Sequence, residues 1–138
     1  MRKTRMLGVT AVAMVTGAIG ALGVAAPASA ANGKCSSSEL CVYRNFDRHK
    51  SQGYFDLSSP DSNFANGNNN WYNAGGNLND DISSYTAGTG TSCKGYSLFA
   101  DKDMHGSKFD IPKGWGGNLL GAYANYNDDF SSYSKYGC

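Results

Sequence analysis

The sequence predicts an all-β fold, a sandwich of two Greek-key motifs, and three observations carry that expectation. First, residues 77–85, Asn-Leu-Asn-Asp-Asp-Ile-Ser-Ser-Tyr, return forty-eight positions later as Asn-Tyr-Asn-Asp-Asp-Phe-Ser-Ser-Tyr at 125–133, identical at seven of nine positions. A repeat of this length marks a duplicated supersecondary unit. Second, short apolar runs alternate with stretches rich in Gly, Asn, Ser and Asp, the punctuation of strands and turns. Third, no stretch of the chain beyond residue 30 sustains a 3.6-residue apolar period.

In chain order, Leu40-Cys41-Val42-Tyr43 is the first strand signal and Gly53-Tyr54-Phe55-Asp56-Leu57 the second, after a charged loop at 44–50. Residues 58–76 are dominated by Asn, Ser and Gly, which disfavour a helix interior. Phe64, Trp71 and Tyr72 punctuate that loop, so it is expected to fold back onto the domain. The first Asn-Asp-Asp corner then feeds a strand ending at Tyr85. After a Gly/Thr linker at 86–92 the pattern restarts: Tyr96-Ser97-Leu98-Phe99 answers the first strand, Phe109-Asp110-Ile111 the second, and Asn127-Asp128-Asp129 the corner. Two copies of one four-stranded unit are therefore expected, about 40–87 and about 93–138.

The first thirty residues read as a secretory signal. Arg2, Lys3 and Arg5 precede an uncharged apolar run at 6–26, and Ala28-Ser29-Ala30 supplies a small-x-small cleavage site. A retained membrane anchor is the disfavoured alternative, because no basic stop-transfer cluster follows the run. Cleavage leaves a single domain, 31–138, expected outside the cell, off the membrane and monomeric. Three of the twelve Lys and Arg residues lie in the signal, so nine face eleven Asp and Glu in the remaining 108 residues, a net charge of −2. No basic patch draws it to nucleic acid.

All four cysteines, Cys35, Cys41, Cys93 and Cys138, fall in the mature part. In an exported chain they imply two disulfides among three formal pairings, with Cys35–Cys41 and Cys93–Cys138 favoured. Chain entropy gives them about 2 and about 4 kcal/mol. A four-cysteine zinc site is the rival, but the spacing lacks any CxxC.

The two corners cluster carboxylate, amide and hydroxyl oxygens, the donors a hard cation such as Ca²⁺ takes. The alternative is a pair of Asx-turns with no metal. Asp101-Lys102-Asp103 begins like an EF-hand loop, but His105 and Pro112 stand at its fifth and twelfth positions. His49 and His105 sit in charged loops without a nucleophile context, and adjacent aspartates on a turn do not face each other across a cleft, so no enzyme is expected. Trp71, Tyr72, Trp115, Tyr123 and Tyr126 read first as core and cross-strand aromatics, with a sugar- or partner-binding surface as the alternative; Trp71 and Trp115 lie in Gly/Asn-rich loops where exposure is plausible.

These residues resemble the βγ-crystallin superfamily. Phe99 to Gly106, with Met104 between them, is similar to its strand-turn signature, and 79–84 and 127–132 both fit its calcium motif of two Asn/Asp, two variable positions, Ser/Thr and Ser. The short cysteine spacing before Val42-Tyr43 resembles a branch of secreted bacterial crystallin-fold proteins classed as peptidase, originally metalloproteinase, inhibitors. The first repeat departs from the signature, because Tyr43 to Gly53 is three residues longer than Phe99 to Gly106.

The resemblance implies a βγ-crystallin-like sandwich with two Ca²⁺ sites, each drawing ligands from both repeats. Ser83 and Ser131 are implied ligands, with oxygens of Asn79, Asp80 and Asp81 and of Asn127, Asp128 and Asp129 completing the shells, while Ser84 and Ser132 tie down the folded-over hairpins. It further implies an extracellular peptidase as a partner; inhibition needs a stiff exposed loop that enters the peptidase cleft, for which 44–52 and 58–76 are the candidates. A structural, cell-surface or antimicrobial, killer-toxin-like binding module is the alternative.

Overall fold

The computed structural model describes residues 31–138. The expected signal and its cleavage site lie outside the described residues. Seven strands form two antiparallel sheets: β1 (Leu40–Tyr43), β2 (Tyr54–Leu57), β3 (Ser84–Ala87), β4 (Gly95–Phe99), β5 (Lys108–Pro112), β6 (Gly116–Asn118) and β7 (Ser132–Tyr136). One sheet runs β2-β1-β3-β6 and the other β5-β4-β7. The strand signals at 40, 53, 96 and 109 all become strands. Each buries apolar positions on the inner face while its turns stay polar.

The crossing of strands between repeats makes the Greek keys. Strand β6 belongs to the second repeat in sequence but pairs with β3 of the first, Tyr85 opposite Gly117. Its counterpart from the first repeat is reduced to one bridge, Asp61 against Tyr133 of β7. The expected eighth strand is therefore missing among the described residues. Pro60 supplies no amide hydrogen to a ladder, and the Asn-rich run after it spends its side chains on its own backbone, as in Asn66 Oδ1 accepting from Asn68 N and Asn63 Oδ1 from Ala65 N.

Between the sheets lie Leu40, Val42, Leu57, Phe64, Leu78, Ile82, Tyr96, Leu98, Ile111, Leu119, Phe130 and Tyr133, all essentially buried. The long loop folds back as expected, Phe64 reaching the core and its N–H donating to Ser131 O at 2.8 Å. Trp71 is also buried, at 4 % exposure, as the core reading of the aromatics expects, whereas Trp115, in a similarly Gly/Asn-rich setting, is 56 % exposed. The difference is a partner, since Trp71 Nε1 donates to Asp81. Tyr133 ties the sheets together by donating from its hydroxyl to Leu57 O at 3.2 Å.

Cys35 pairs with Cys41 and Cys93 with Cys138. The first bond clips the entry to β1. The second joins the approach to β4 to the end of the chain.

Candidate metal centre

Each repeat builds a folded-over hairpin on which its corner rests. In the first, Asp47 and Arg48 take left-handed backbone, φ 60° and 59°; in the second, Asp103 and Met104 do so, φ 58° and 60°. A serine at each corner locks the hairpin. Ser84 Oγ donates to Asn45 O at 2.6 Å and accepts from Arg48 N at 3.2 Å, while Ser132 Oγ donates to Asp101 O at 2.6 Å and accepts from Met104 N at 3.1 Å. These paired contacts put Asn45 opposite Asp101 and Arg48 opposite Met104. The three extra residues of the first repeat follow Arg48, as the 3-10 turn Lys50–Gln52, so the longer spacing leaves the hairpin tip unchanged.

The two corners then meet across the interface of the repeats. Asp80 N donates to Phe130 O at 3.0 Å, and Asp128 N to Ile82 O at 3.1 Å. Asp80 and Asp128 both adopt left-handed backbone, φ 53° and 56°, a conformation that short polar side chains tolerate. That turn aims each carboxylate at the other repeat: Ser83 Oγ donates to Asp128 Oδ1 at 3.3 Å and Ser131 Oγ to Asp80 Oδ1 at 3.4 Å. Within each corner the amide leans on its neighbour, Asn79 Nδ2 to Asp80 Oδ2 at 2.5 Å and Asn127 Nδ2 to Asp128 Oδ2 at 2.6 Å.

The oxygens are thus assembled in two equivalent clusters, one holding Ser83 and Asp128, the other Ser131 and Asp80. Asn127 Oδ1 is buried and accepts no hydrogen bond, an acceptor that a cation would satisfy. Asp128 is raised from the usual carboxylate range, first by partial burial of its carboxyl, against which the Ser83 hydrogen bond pulls it down and the Asp81 charge pushes it further up. The residue keeps solvent contact, which screens the effect. Among the described residues no three His, Cys, Asp or Glu side chains converge, so any ion held here depends on mixed carboxylate, hydroxyl, amide and carbonyl donors. That donor set suits Ca²⁺ and not a softer metal.

The remaining two sequence-selected residues are placed differently. Asp81 Oδ2 takes the Arg44 guanidinium at 2.9 Å and Trp71 Nε1 at 2.9 Å. Asp129 is half-buried with no ion pair among the described residues. The contacts of Arg44 and Trp71 with Asp81 are not legible in the sequence, because the partners stand thirty-seven and ten positions from it in the chain. A polar cleft of about 590 Å³, lined by Arg44, Asn45, Gln52, Asp81, Ser83 and Asp128 among others, opens at this corner. His49 and His105 are exposed on their hairpins, away from the core.

No family model and no curated protein matches this sequence. Solved structures do match. A chain from work on the evolution of the eye lens βγ-crystallin domain fold aligns with TM-score 0.53 and 19 % identity over 78 % of this chain and 93 % of its own. A βγ-crystallin from an archaeon gives 0.51 and 19 % over 72 % and 99 %, and one from Ciona intestinalis 0.51 and 14 % over 70 % and 98 %. At these identities the likeness establishes the fold, a βγ-crystallin-type Greek-key sandwich.

Proposed function

We propose that the protein is a secreted, non-enzymatic crystallin-fold module that binds two Ca²⁺ ions at the junction of its repeats. The observation that carries this reading is the reciprocal pairing of Ser83 with Asp128 and of Ser131 with Asp80. Reciprocity of this kind is unnecessary for two isolated Asx-turns, which satisfy themselves locally. Asn79, Asp80, Asp81 and Ser83 of one corner and Asn127, Asp128, Asp129 and Ser131 of the other are the ligand set, and the orphaned Asn127 Oδ1 supports a cation there. Bound Ca²⁺ would neutralise the facing carboxylates and tie the repeats to each other. Calorimetric titration of chelator-treated protein with CaCl₂ tests the reading; no heat at millimolar concentration reduces the corners to turns.

The biochemical activity proposed for the module is inhibition of an extracellular peptidase. A bait loop must be exposed and stiff, because binding a flexible loop costs its ordering entropy. The hairpin at 44–52 supports this. Its Phe46, Asp47 and Arg48 are exposed, while Asn118 bonds both Asp47 N at 2.7 Å and Asp47 Oδ1 at 2.8 Å. The loop at 58–76 is less suited, with Phe64 and Trp71 committed to the interior. A screen against secreted metallo- and serine peptidases, with Ca²⁺ and with chelator, decides it. A chain that inhibits none of them at stoichiometric concentration belongs with structural or cell-surface, killer-toxin-like modules.

A further inference from the structure

The two oxygen clusters are not equivalent in charge. Arg44 sits directly after β1, and the paired serine contacts that equate Asn45 with Asp101 put Ala100 in its place in the second repeat. Arg44 Nε lies 2.9 Å from Asp81 Oδ2, and its Nη1 donates to Gly75 O at 3.3 Å. Trp71 Nε1 holds the same carboxylate oxygen at 2.9 Å. Gly53, at φ +106°, lies close beneath the arginine stem, where an added Cβ would come within 3.1 Å of Arg44 Cβ. Trp71 and Gly75 come from the long loop. Phe64 N on Ser131 O mirrors Leu119 N on Ser83 O, so the chain from Phe64 to the first corner is longer than that from Leu119 to the second. Ala100 offers no charge to Asp129, which has no ion pair among the described residues.

We propose that Arg44 is a resident cation of the Ser83–Asp128 corner, occupying Asp81 and making this the weak Ca²⁺ site, while the Ser131–Asp80 corner is the strong one. This inference rests on the calcium reading above. A guanidinium already paired to Asp81 both removes a carboxylate from the incoming ion and repels it, and the effect is felt because the pair is only partly exposed. Filling the weak site requires Arg44 to swing from Asp81 into the adjoining cleft and the Asp81 carboxylate to turn from Trp71 Nε1 towards the ion. The module would then be half-loaded at low calcium and fully loaded only at high calcium, with the second step reshaping the exposed 44–52 hairpin.

The test is calorimetric titration of the chelator-treated chain with CaCl₂, for the unaltered protein, Arg44→Gln and Ala100→Arg, with tryptophan emission followed in parallel. The unaltered protein should show two steps. Arg44→Gln should tighten the weaker step about tenfold and leave the stronger one in place, and Ala100→Arg should weaken the stronger step by a similar factor. Emission should change with the weaker step, when Asp81 leaves Trp71. Two equal sites in the unaltered protein, or a weaker step indifferent to Arg44→Gln, overturns the role of Arg44 while leaving calcium binding intact. An emission change that accompanies only the stronger step overturns it too. Absence of heat in all three proteins overturns the calcium reading and this inference with it. Should Arg44→Gln fail to fold in chelator, the Ala100→Arg arm reads the same repulsion at the opposite corner.

Discussion

Ser83 Oγ and Asp128 Oδ1 lie 3.3 Å apart although forty-five positions separate them in the chain, and Ser131 and Asp80 repeat the contact at 3.4 Å. The junction of the two repeats is thus made of the groups that would hold calcium. Replacing either hydroxyl by a cation should block one cluster and leave the other, so Ser83→Arg and Ser131→Arg should each reduce the stoichiometry from two to one. A ligand at a hundred times its Kd contributes about 2.7 kcal/mol per site, several degrees in Tm for a domain of this size. Melts of both variants with calcium and with chelator, beside the titration, read this out; unchanged stoichiometry in both would remove the serines from the site.

Ser84 and Ser132 should behave in the opposite way. Each hydroxyl donates to a hairpin carbonyl and accepts a hairpin N–H, and both serines are fully buried. Ser84→Ala or Ser132→Ala leaves two backbone groups unsatisfied, a loss of about 1–3 kcal/mol. Urea unfolding in chelator should show a lower midpoint with an unchanged slope, whereas the number of calcium ions bound should stay at two.

Asp56 is a buried carboxylate at 0 % exposure, on β2, and its partners lie on other segments. Its oxygens accept from Asn32 N at 2.8 Å and Gly33 N at 3.3 Å, and from the Tyr72 hydroxyl. It fastens the residues before the first disulfide to the sheet. Asp56→Ala should cost about 3 kcal/mol, because the two amides lose a charged acceptor. Hydrogen exchange would locate the damage, with faster exchange at Asn32 and Gly33 than at the strands of the second sheet.

Alkaline pH should weaken the fold through its tyrosines. Burial, with the hydrogen bond to Asp56 and the Asp56 charge adding to it, pushes the Tyr72 hydroxyl up to about 12, and burial raises Tyr133, Tyr96 and Tyr85 as well. A raised pKa in the folded state means that the neutral phenol is favoured there. The contribution of Tyr72 is therefore complete below pH 10, where the unfolded phenol is also neutral, and is lost as pH rises from 10 towards 12. Urea midpoints measured between pH 9 and 12 should fall above pH 10, with a shallower fall in Tyr72→Phe. A fall of equal steepness in that variant would assign the loss to other groups.

The sequence by itself determined the strands, the repeat and the identity of the polar corners. Those are local properties: alternation at Phe109-Asp110-Ile111 buries the two apolar residues and exposes the one between, and Asp80 and Asp128 reach left-handed backbone because short polar side chains tolerate it. Cysteine positions in an exported-looking chain similarly restricted the pairings that Cys35–Cys41 and Cys93–Cys138 realise. What only the tertiary structure decided is which atoms meet. The crossing of β6 onto the other repeat's sheet brings Ser83 to Asp128, and the fold of the long loop brings Trp71 to Asp81. Arg44 reaches Asp81 across thirty-seven positions with no spacing rule to announce it, since an ion pair depends on distance in space and the chain's path through an irregular loop carries no periodicity. For the same reason two corners of nearly identical sequence carry different charge environments, one with Asp81 paired to Arg44 and the other with Asp129 in no ion pair among the described residues.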